Sequence, residues 1–446
     1  MNSTLGRFFH IRKGESRLVS TLGGVLFINA LCSGLAGIVA VSGFLTTGGV
    51  NQILLVYLVD YVLILLSSGL QSLIIDRFGR DKLVGGMLLL FALLFVVLRV
   101  LFAVGAPGWL NYSLMFVVAE QQFVFFPLIF WVLANDTVTM EQSTRLFPLI
   151  SSGGLVGQLA GILLAMLLPW LLLRLNLSPE AVLVWIVVLY LLALLMLVWG
   201  LRGVKLRRTV QQTESLRSTL AEGWQFIREV DSFRYLTYGV LAMAFCSIVI
   251  EFRFFVVSDG SFPTQFDYQR FYSIYRLVLA VLAFVVQALL TSRVLRSLGL
   301  KRTMFILPVV TLLGAVVALL SPGLWVMVFA TGIFMLIRQT TYDSAVKSMQ
   351  ALIPEERRGR VSALLDGYVP AFGIVLGCLL TWLIVWVGML LGAELHRVYL
   401  ALAVLASALS LWWMYRMYRT YDTSLLNWRL KRRQRTRSEV LDKLEF

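Results

Sequence analysis

The chain has 446 residues, 59% hydrophobic and 14% charged, with a net charge of +15, whereas a soluble domain is about 25% charged. Its apolar residues come in blocks of roughly 20 or more, enough to cross a ~30 Å hydrocarbon core at ~1.5 Å per residue. This excludes an ordinary soluble domain and predicts an all-α polytopic membrane protein. The first 17 residues are polar and basic, and the apolar run after them is too long for a signal-peptide h-region. Cys32, Cys246 and Cys378 all lie inside apolar runs, which argues for neither a disulfide frame nor a metal site.

In chain order, apolar spans are predicted at roughly 18–44, 52–75, 83–104, 111–136, 145–173, 180–201, 234–257, 268–291, 303–320, 323–346, 359–388 and 396–415. Twelve spans of about 20 residues use roughly 240 positions, which leaves short loops and no separate soluble domain. The implied organisation is a cytoplasmic N-terminus (1–17), an N-terminal six-helix bundle (18–201), a cytoplasmic linker (202–233), a C-terminal six-helix bundle (234–415) and a basic cytoplasmic tail (416–446). Most of the 39 Lys and Arg residues fall in the N-terminus, the loops after even-numbered spans and the tail, and the loops after spans 1, 3 and 9 hold none. That bias sets both termini in the cytoplasm. The excess charge is therefore read as a topology signal rather than a nucleic-acid footprint, supplemented by anionic-lipid contact at the basic loops and tail.

Within the linker, Leu216, Leu220, Trp224 and Ile227 recur on one face of a helix. That face suits a helix lying at the membrane interface; a helix packed under the bundle is the alternative. The tail, "NWRLKRRQRTRSEVLDKLEF", reads as a solvated or lipid-facing basic segment.

The stretch "IFWVLANDTVTMEQSTRLFPLISSGGLVG" places Asn135 and Asp136 at the foot of span 4 and Arg145 at the head of span 5, followed by Gly153, Gly157 and Gly161. A second copy follows. "FMLIRQTTYDSAV" brings Asp343 to the foot of span 10, Arg358 and Arg360 open span 11, and Gly373 and Gly377 in "GIVLG" match Gly157 and Gly161. "DRFGRDK", with Asp76, Arg77 and Arg80, is echoed by "VLRSLGLKR", Gly79 matching Gly299. Such repeats imply two parallel six-helix halves related by a pseudo-twofold, as in transporters that rock one half against the other. Acids and bases at successive helix ends can pair in one state and part in another, which suits gating; static packing with helix capping is the alternative. Glycines at every fourth residue let a neighbouring helix approach closely.

"DRFGRDK" and "LAEGWQFIREVDSFRYL" resemble signatures of the major facilitator superfamily. More narrowly, "FWVLANDTVTMEQSTRLFPLISSGGLVG" and "LVLAVLAFVVQALLTSRVLRSLGLKRTMFILP" resemble the bacterial and plastid ATP/ADP translocase group. The resemblance implies a secondary transporter with a small-molecule solute. Members of that group that exchange nucleotides carry basic residues within the membrane, including one in span 1. Span 1 here has none, and Asn29 is its most polar large residue. We expect a monomer in a bacterial cytoplasmic membrane, without a cofactor.

Charged groups deep in lipid are costly, so they face a cavity or a partner. Asp60 and Glu120 lie roughly 12–14 Å below the outer surface at ~1.5 Å per residue, Arg276 at a similar depth, Glu251 and Arg253 near the outer end of span 7, and Arg338 closer to the centre. Arg99 snorkels. In one reading Arg276 and Arg338, with Asn29 and Tyr275, hold an anionic substrate, while Glu120, Asp60 or Glu251 carries a coupling proton. In the other, Glu251 pairs with Arg276 and the rest are structural clamps. Trp131, Tyr275 and Tyr342 offer ring faces for stacking. No P-loop is present, and the two histidines, His10 and His396, form no triad or zinc set, so an enzyme is not expected. The sequence points to a secondary active transporter of a small organic anion working by alternating access. A nucleotide exchanger and a non-transporting membrane scaffold or sensor are the alternatives.

Overall fold

A backbone in hydrocarbon has no water to bond to, so it must satisfy its own N–H and C=O groups. In the computed structural model, which describes residues 15–75, 79–138, 140–176, 178–202, 216–262, 264–350, 353 and 355–442, every regular element is helical. Asp76 and Arg77 lie outside the described residues. The helices are α1 (Glu15–Gly48), α2 (Ile53–Ile75), α3 (Arg80–Ala103), α4 (Gly108–Thr137), α5 (Met140–Leu175), α6 (Val182–Gly200), α7 (Leu216–Glu229), α8 (Asp231–Asp259), α9 (Gln265–Val286), α10 (Ser292–Thr303), α11 (Ile306–Leu320), α12 (Leu324–Ile337), α13 (Asp343–Gln350), α14 (Glu355–Ala363), α15 (Val369–Leu391) and α16 (His396–Asp442). Wide π-turns at Gln287–Thr291, Arg338–Tyr342 and Leu364–Tyr368 join α9 to α10, α12 to α13 and α14 to α15. Ten helical stretches among the described residues are long and apolar enough to cross a bilayer, and two shorter apolar ones are Val50–Leu66 and Ile306–Leu320. The described residues cluster into two units, one within Met1–Thr213 and Ser258–Ala280, the other within Glu214–Val257 and Val281–Phe446.

In the first unit α1 is the central helix. It buries 72% of its bilayer-length window, against 28% for α3, and it packs on α4, α5 and α6. The seam with α5 is built on glycine. A Cβ at Gly153, Gly157 or Gly161 would sit 2.5, 2.2 or 2.4 Å from the carbonyl oxygens of Gly23, Phe27 and Leu31 respectively. Those carbonyls are themselves four residues apart, so one ridgeless face of α5 lies along one backbone face of α1. α3 shows the other kind of helix. Val84, Leu88, Phe91, Phe95 and Leu98 are buried, while Leu89, Leu90, Leu93 and Val97 on the opposite side are exposed. Both faces are apolar because the outer one meets lipid rather than water.

The second unit repeats the seam. α8 also buries 72% of its window, and a Cβ at Gly373 of α15 would lie 2.6 Å from the Leu241 carbonyl oxygen. At Gly377 it would lie 2.3 Å from Ile248 Cγ2 and 3.2 Å from the Phe245 carbonyl oxygen. The linker helix α7 docks on α14. Gly223 is within reach of Leu364 and the Arg360 carbonyl, Arg360 pairs with Glu222, and Arg357 lies 3.9 Å from Glu229. Its predicted apolar face divides: Ile227 is 1% exposed and Trp224 50% exposed. The side chains of Leu216 and Leu220 lie outside the described residues. The segment read as a separate tail from 416 continues α16 as one helix to Asp442.

Gly157→Ala should lower the apparent melting temperature in detergent by several degrees, equivalent to about 1–3 kcal/mol of overpacking. The obstacle there is backbone, which cannot move aside. Gly37→Ala, with nothing within 4 Å of its Cβ position, should leave the melting temperature unchanged in the same thermal-unfolding assay.

Candidate functional site

The second unit holds a cavity of about 290 Å³ whose polar lining is Arg338, Tyr342, Asp343, Lys347 and Asp366. Two of the wide turns shape it. In the first, the Asp343 N–H bonds back to the Arg338 carbonyl, five residues earlier. This brings Arg338 and Asp343, which an ordinary α-turn would splay apart, one above the other. In the second, the Val369 N–H bonds to the Leu364 carbonyl. Pro370 follows directly and offers no N–H to the Asp366 carbonyl four residues back, which favours a widened turn here. Asp366 is thereby presented to the cavity, where Gln350 Nε2 donates to its Oδ1 at 2.6 Å. Asp343 has Arg338, Lys347 and Asp366 as charged neighbours. Two cations thus face two carboxylates, and the set is neutral in sum. Tyr342 is buried, and its hydroxyl has no hydrogen-bond partner among the described residues.

The first unit gathers a second polar cluster. Asp60 of α2 is 1% exposed; Gln121 Nε2 on α4 donates to its Oδ1 at 2.8 Å, while its buried Oδ2 has no partner among the described residues. Glu120, beside Gln121, is a charged neighbour of both Asp60 and Arg276. The Arg276 guanidinium lies 5.9 Å from the centre of the Tyr272 ring, which stacks in turn on Tyr275 at 6.3 Å. The start of α9 is tied into this unit by Gln269 Nε2 donating to the Ala165 carbonyl at 2.8 Å and Gln265 Nε2 donating to Tyr112 Oη at 3.3 Å.

Several expected pairings are replaced by others. Asp136 is held by Arg80 at 2.5 Å, not by Arg145. α5 begins at Met140, so Arg145 sits a turn inside it and forks onto Glu15 of α1 at 2.9 and 3.0 Å. Asn135, next to Asp136, is exposed. Asp343 faces Arg338 and Lys347 rather than Arg358, which donates to the Ile353 carbonyl at 3.0 and 3.2 Å, and Arg360 is taken by Glu222. Asn29 is buried at 2% exposure and accepts a hydrogen bond from Tyr190 Oη at 3.0 Å, an interior pair between α1 and α6. Glu251 lies half-buried on α8, with Cys378 of α15 as an electrostatic neighbour. Arg276 and Arg338 fall in different units.

Sequence reasoning passed over Asp366, Lys347, Gln121 and Glu15. Asp366 carried a usable signal, a carboxylate inside an apolar run followed by Gly367 and Pro370. Lys347 sits four residues after Asp343, the spacing of a helical ion pair.

Stacked, bilayer-length apolar helices with charges gathered into interior clusters make this a multi-pass membrane protein. Solved transporters share the fold. A nucleoside transporter, NupG, superposes with a TM-score of 0.62 at 12% identity, covering 90% of this chain and 100% of that one. A bacterial homologue of the iron transporter ferroportin, inward-facing, gives 0.61 at 16% identity, covering 89% and 98%. An auto-inhibited peptide transporter of the POT family gives 0.62 at 11% identity, covering 91% and 97%. Identities this low show fold and nothing of substrate. The model of the TLC ATP/ADP transporter family matches residues 98–342, more than half of the chain, and the chain belongs to that family. No curated protein sequence matches it.

The Arg80–Asp136 pair, 14% and 7% exposed at its side chains, should behave as a unit. Asp136→Ala should destabilise by about 1–3 kcal/mol through loss of a partly buried, charge-assisted pair. Arg80→Ala combined with Asp136→Ala should cost less than the two single changes summed, by about 1 kcal/mol or more, when their thermal shifts are compared in a double-mutant cycle.

Proposed function

We propose that this transporter moves a small organic anion across a bacterial cytoplasmic membrane by alternating access. In this reading twelve spans form two six-helix bundles, 18–201 and 234–415, with both termini in the cytoplasm, a monomer whose basic loops and tail meet anionic lipid. The single observation that carries the reading is the cavity at Arg338 and Lys347, because two cations and a buried tyrosine hydroxyl with no hydrogen-bond partner among the described residues converge on one space. Its volume is near the lower end of small-ligand sites, which run from about 300 Å³. Asp343 and Asp366 balance the charge of the two cations across the same cavity.

Arg276 supplies a further cation, with Tyr275 and Tyr272 as ring faces beside it. Asp60 and Glu120 are the proton carriers in this scheme, Asp60 because one oxygen is buried with no donor among the described residues. Glu251 is held as a third carrier. The pairs Arg80–Asp136, Arg145–Glu15 and Arg360–Glu222 act as gating contacts, and Asn135, Arg358 and Asp343 are assigned to gating with them. Asp76 and Arg77 keep the gating role that the sequence suggests. Nucleotide exchange is the second reading, favoured by the family match.

Uptake of labelled ATP, ADP and smaller organic anions into proteoliposomes, with and without a protonophore, separates the two. Exchange survives the protonophore and requires nucleotide inside; proton-coupled transport collapses. Arg338→Ala and Lys347→Ala should each cut uptake of the true substrate by about tenfold or more, the worth of one charge-assisted contact. Arg174→Ala, an exposed arginine stacked on Trp170, should not. Uptake unchanged in both cavity variants would remove this cavity from the pathway.

A further inference from the structure

A second cavity, of about 470 Å³, lies in the crook where α7 gives way to α8 at Val230. It shares no residue with the Arg338 cavity. Its walls are Trp224 and Arg228 from α7 and Arg234 and Tyr238 from α8, and its floor is Ile227. The floor is buried, Trp224 and Arg228 are exposed, and Arg234 and Tyr238 are half-buried. Arg234 is steered by Asp231 at 2.8 Å and by the Tyr235 ring at 5.4 Å. Among the described residues Arg228 makes no salt bridge, while the neighbouring Arg234 and Glu229 do. Two guanidinium forks, two amphipathic rings and an apolar floor therefore open outward from one pocket.

We propose that this crook binds the phosphodiester headgroup of an anionic membrane lipid. The chemistry fits at each wall. Guanidinium groups recognise phosphate oxygens through paired N–H bonds, and Arg does so better than Lys. Tryptophan and tyrosine settle where one edge is apolar and the other wet, at headgroup depth. Position fits as well. α8 is a bilayer-length apolar helix beginning at Asp231, so its first two turns lie at the boundary of the hydrocarbon. α7 precedes it as an amphipathic helix with Trp224 outward, the form that lies in the interface. The Lys/Arg bias places this end on the cytoplasmic leaflet, whose negative surface potential draws basic groups near it. α7 is also pinned to α14 through Glu222–Arg360 and Gly223, and α14 leads through its wide turn to Asp366. A lipid seated in the crook thus braces the helix on which the Asp366 turn rests.

The test is lipid binding to the delipidated full-length protein, followed by native mass spectrometry with added phosphatidylglycerol, phosphatidylcholine or inorganic phosphate. Phosphatidylglycerol should bind in at least one copy, and Arg228→Gln with Arg234→Gln should reduce that copy roughly tenfold or more. Arg296→Gln, on α10, should leave it intact, and Trp224→Ser should reduce it less than the double arginine change does. Monodispersity and melting temperature of each variant report whether it has folded, and Trp224→Ser keeps the proposal testable should the double variant fail that check. Unchanged phosphatidylglycerol binding in the folded variants would overturn the site. Equal binding of phosphatidylcholine would overturn the anionic class, and phosphate competing as well as the lipid would overturn the lipid source. None of these readouts depends on transport, so a wrong solute assignment leaves this result standing.

Discussion

Two helices that meet inside a bilayer gain nothing from leaving water, because lipid tails are as apolar as leucine. Their cohesion rests on how closely the backbones approach and how well the remaining atoms fill the gap. In this transporter the backbones approach closely where Gly153, Gly157 and Gly161 of α5 lie along the Gly23, Phe27 and Leu31 carbonyls of α1. Gly373 and Gly377 of α15 give α8 the same treatment. The two most enclosed helices, α1 and α8, are the ones so clasped, and the other helices spend much of their surface on lipid. Each unit therefore has a rigid pair at its centre against which polar groups can be held in fixed places.

Charge is then distributed by what those centres leave open. Near the helix ends, carboxylates and guanidinium groups close on one another: Asp136 with Arg80, Glu15 with Arg145, Glu222 with Arg360. Inside the helical runs they cannot be so freely paired, and the backbone itself gives way. The wide turns at Arg338–Tyr342 and Leu364–Tyr368 each cost a regular hydrogen-bond register. In return they turn Arg338, Asp343 and Asp366 to a common space. π-turns of this kind cluster at functional sites for that reason: they re-aim side chains without breaking the helix that must still cross the membrane.

The resemblance to the ATP/ADP translocase group was legible because it rests on local strings, the loop around Asp136 and the run from Leu277 to Pro308, both inside the residues 98–342 that the family model matches. The same strings were poor guides to partners. Arg145 was separated from Asp136 by few residues, yet the geometry that counts is across helices, where Glu15 is nearer. Asn29 looked like a ligand-facing group because it was the most polar large residue of its span. Its actual partner, Tyr190, lies 161 positions away, a distance over which no pattern in the chain carries information. Asp366 was legible in principle, since an ionisable group inside an apolar run always needs an explanation. What singled it out, the wide turn ahead of Pro370, shows only in the backbone.

By itself the sequence determined that this is a helical membrane transporter, where the apolar runs lie and which glycines stand at four-residue spacing. These follow from hydrocarbon thickness and helical period, which act on neighbours along the chain. Which carboxylate meets which guanidinium, and that Arg338, Lys347, Asp343 and Asp366 share one cavity, only the tertiary structure decided. A half-turn of helix is enough to move a side chain from one neighbour to another. That half-turn is set by packing between segments far apart in the chain and by wide turns such as those at Arg338–Tyr342 and Leu364–Tyr368.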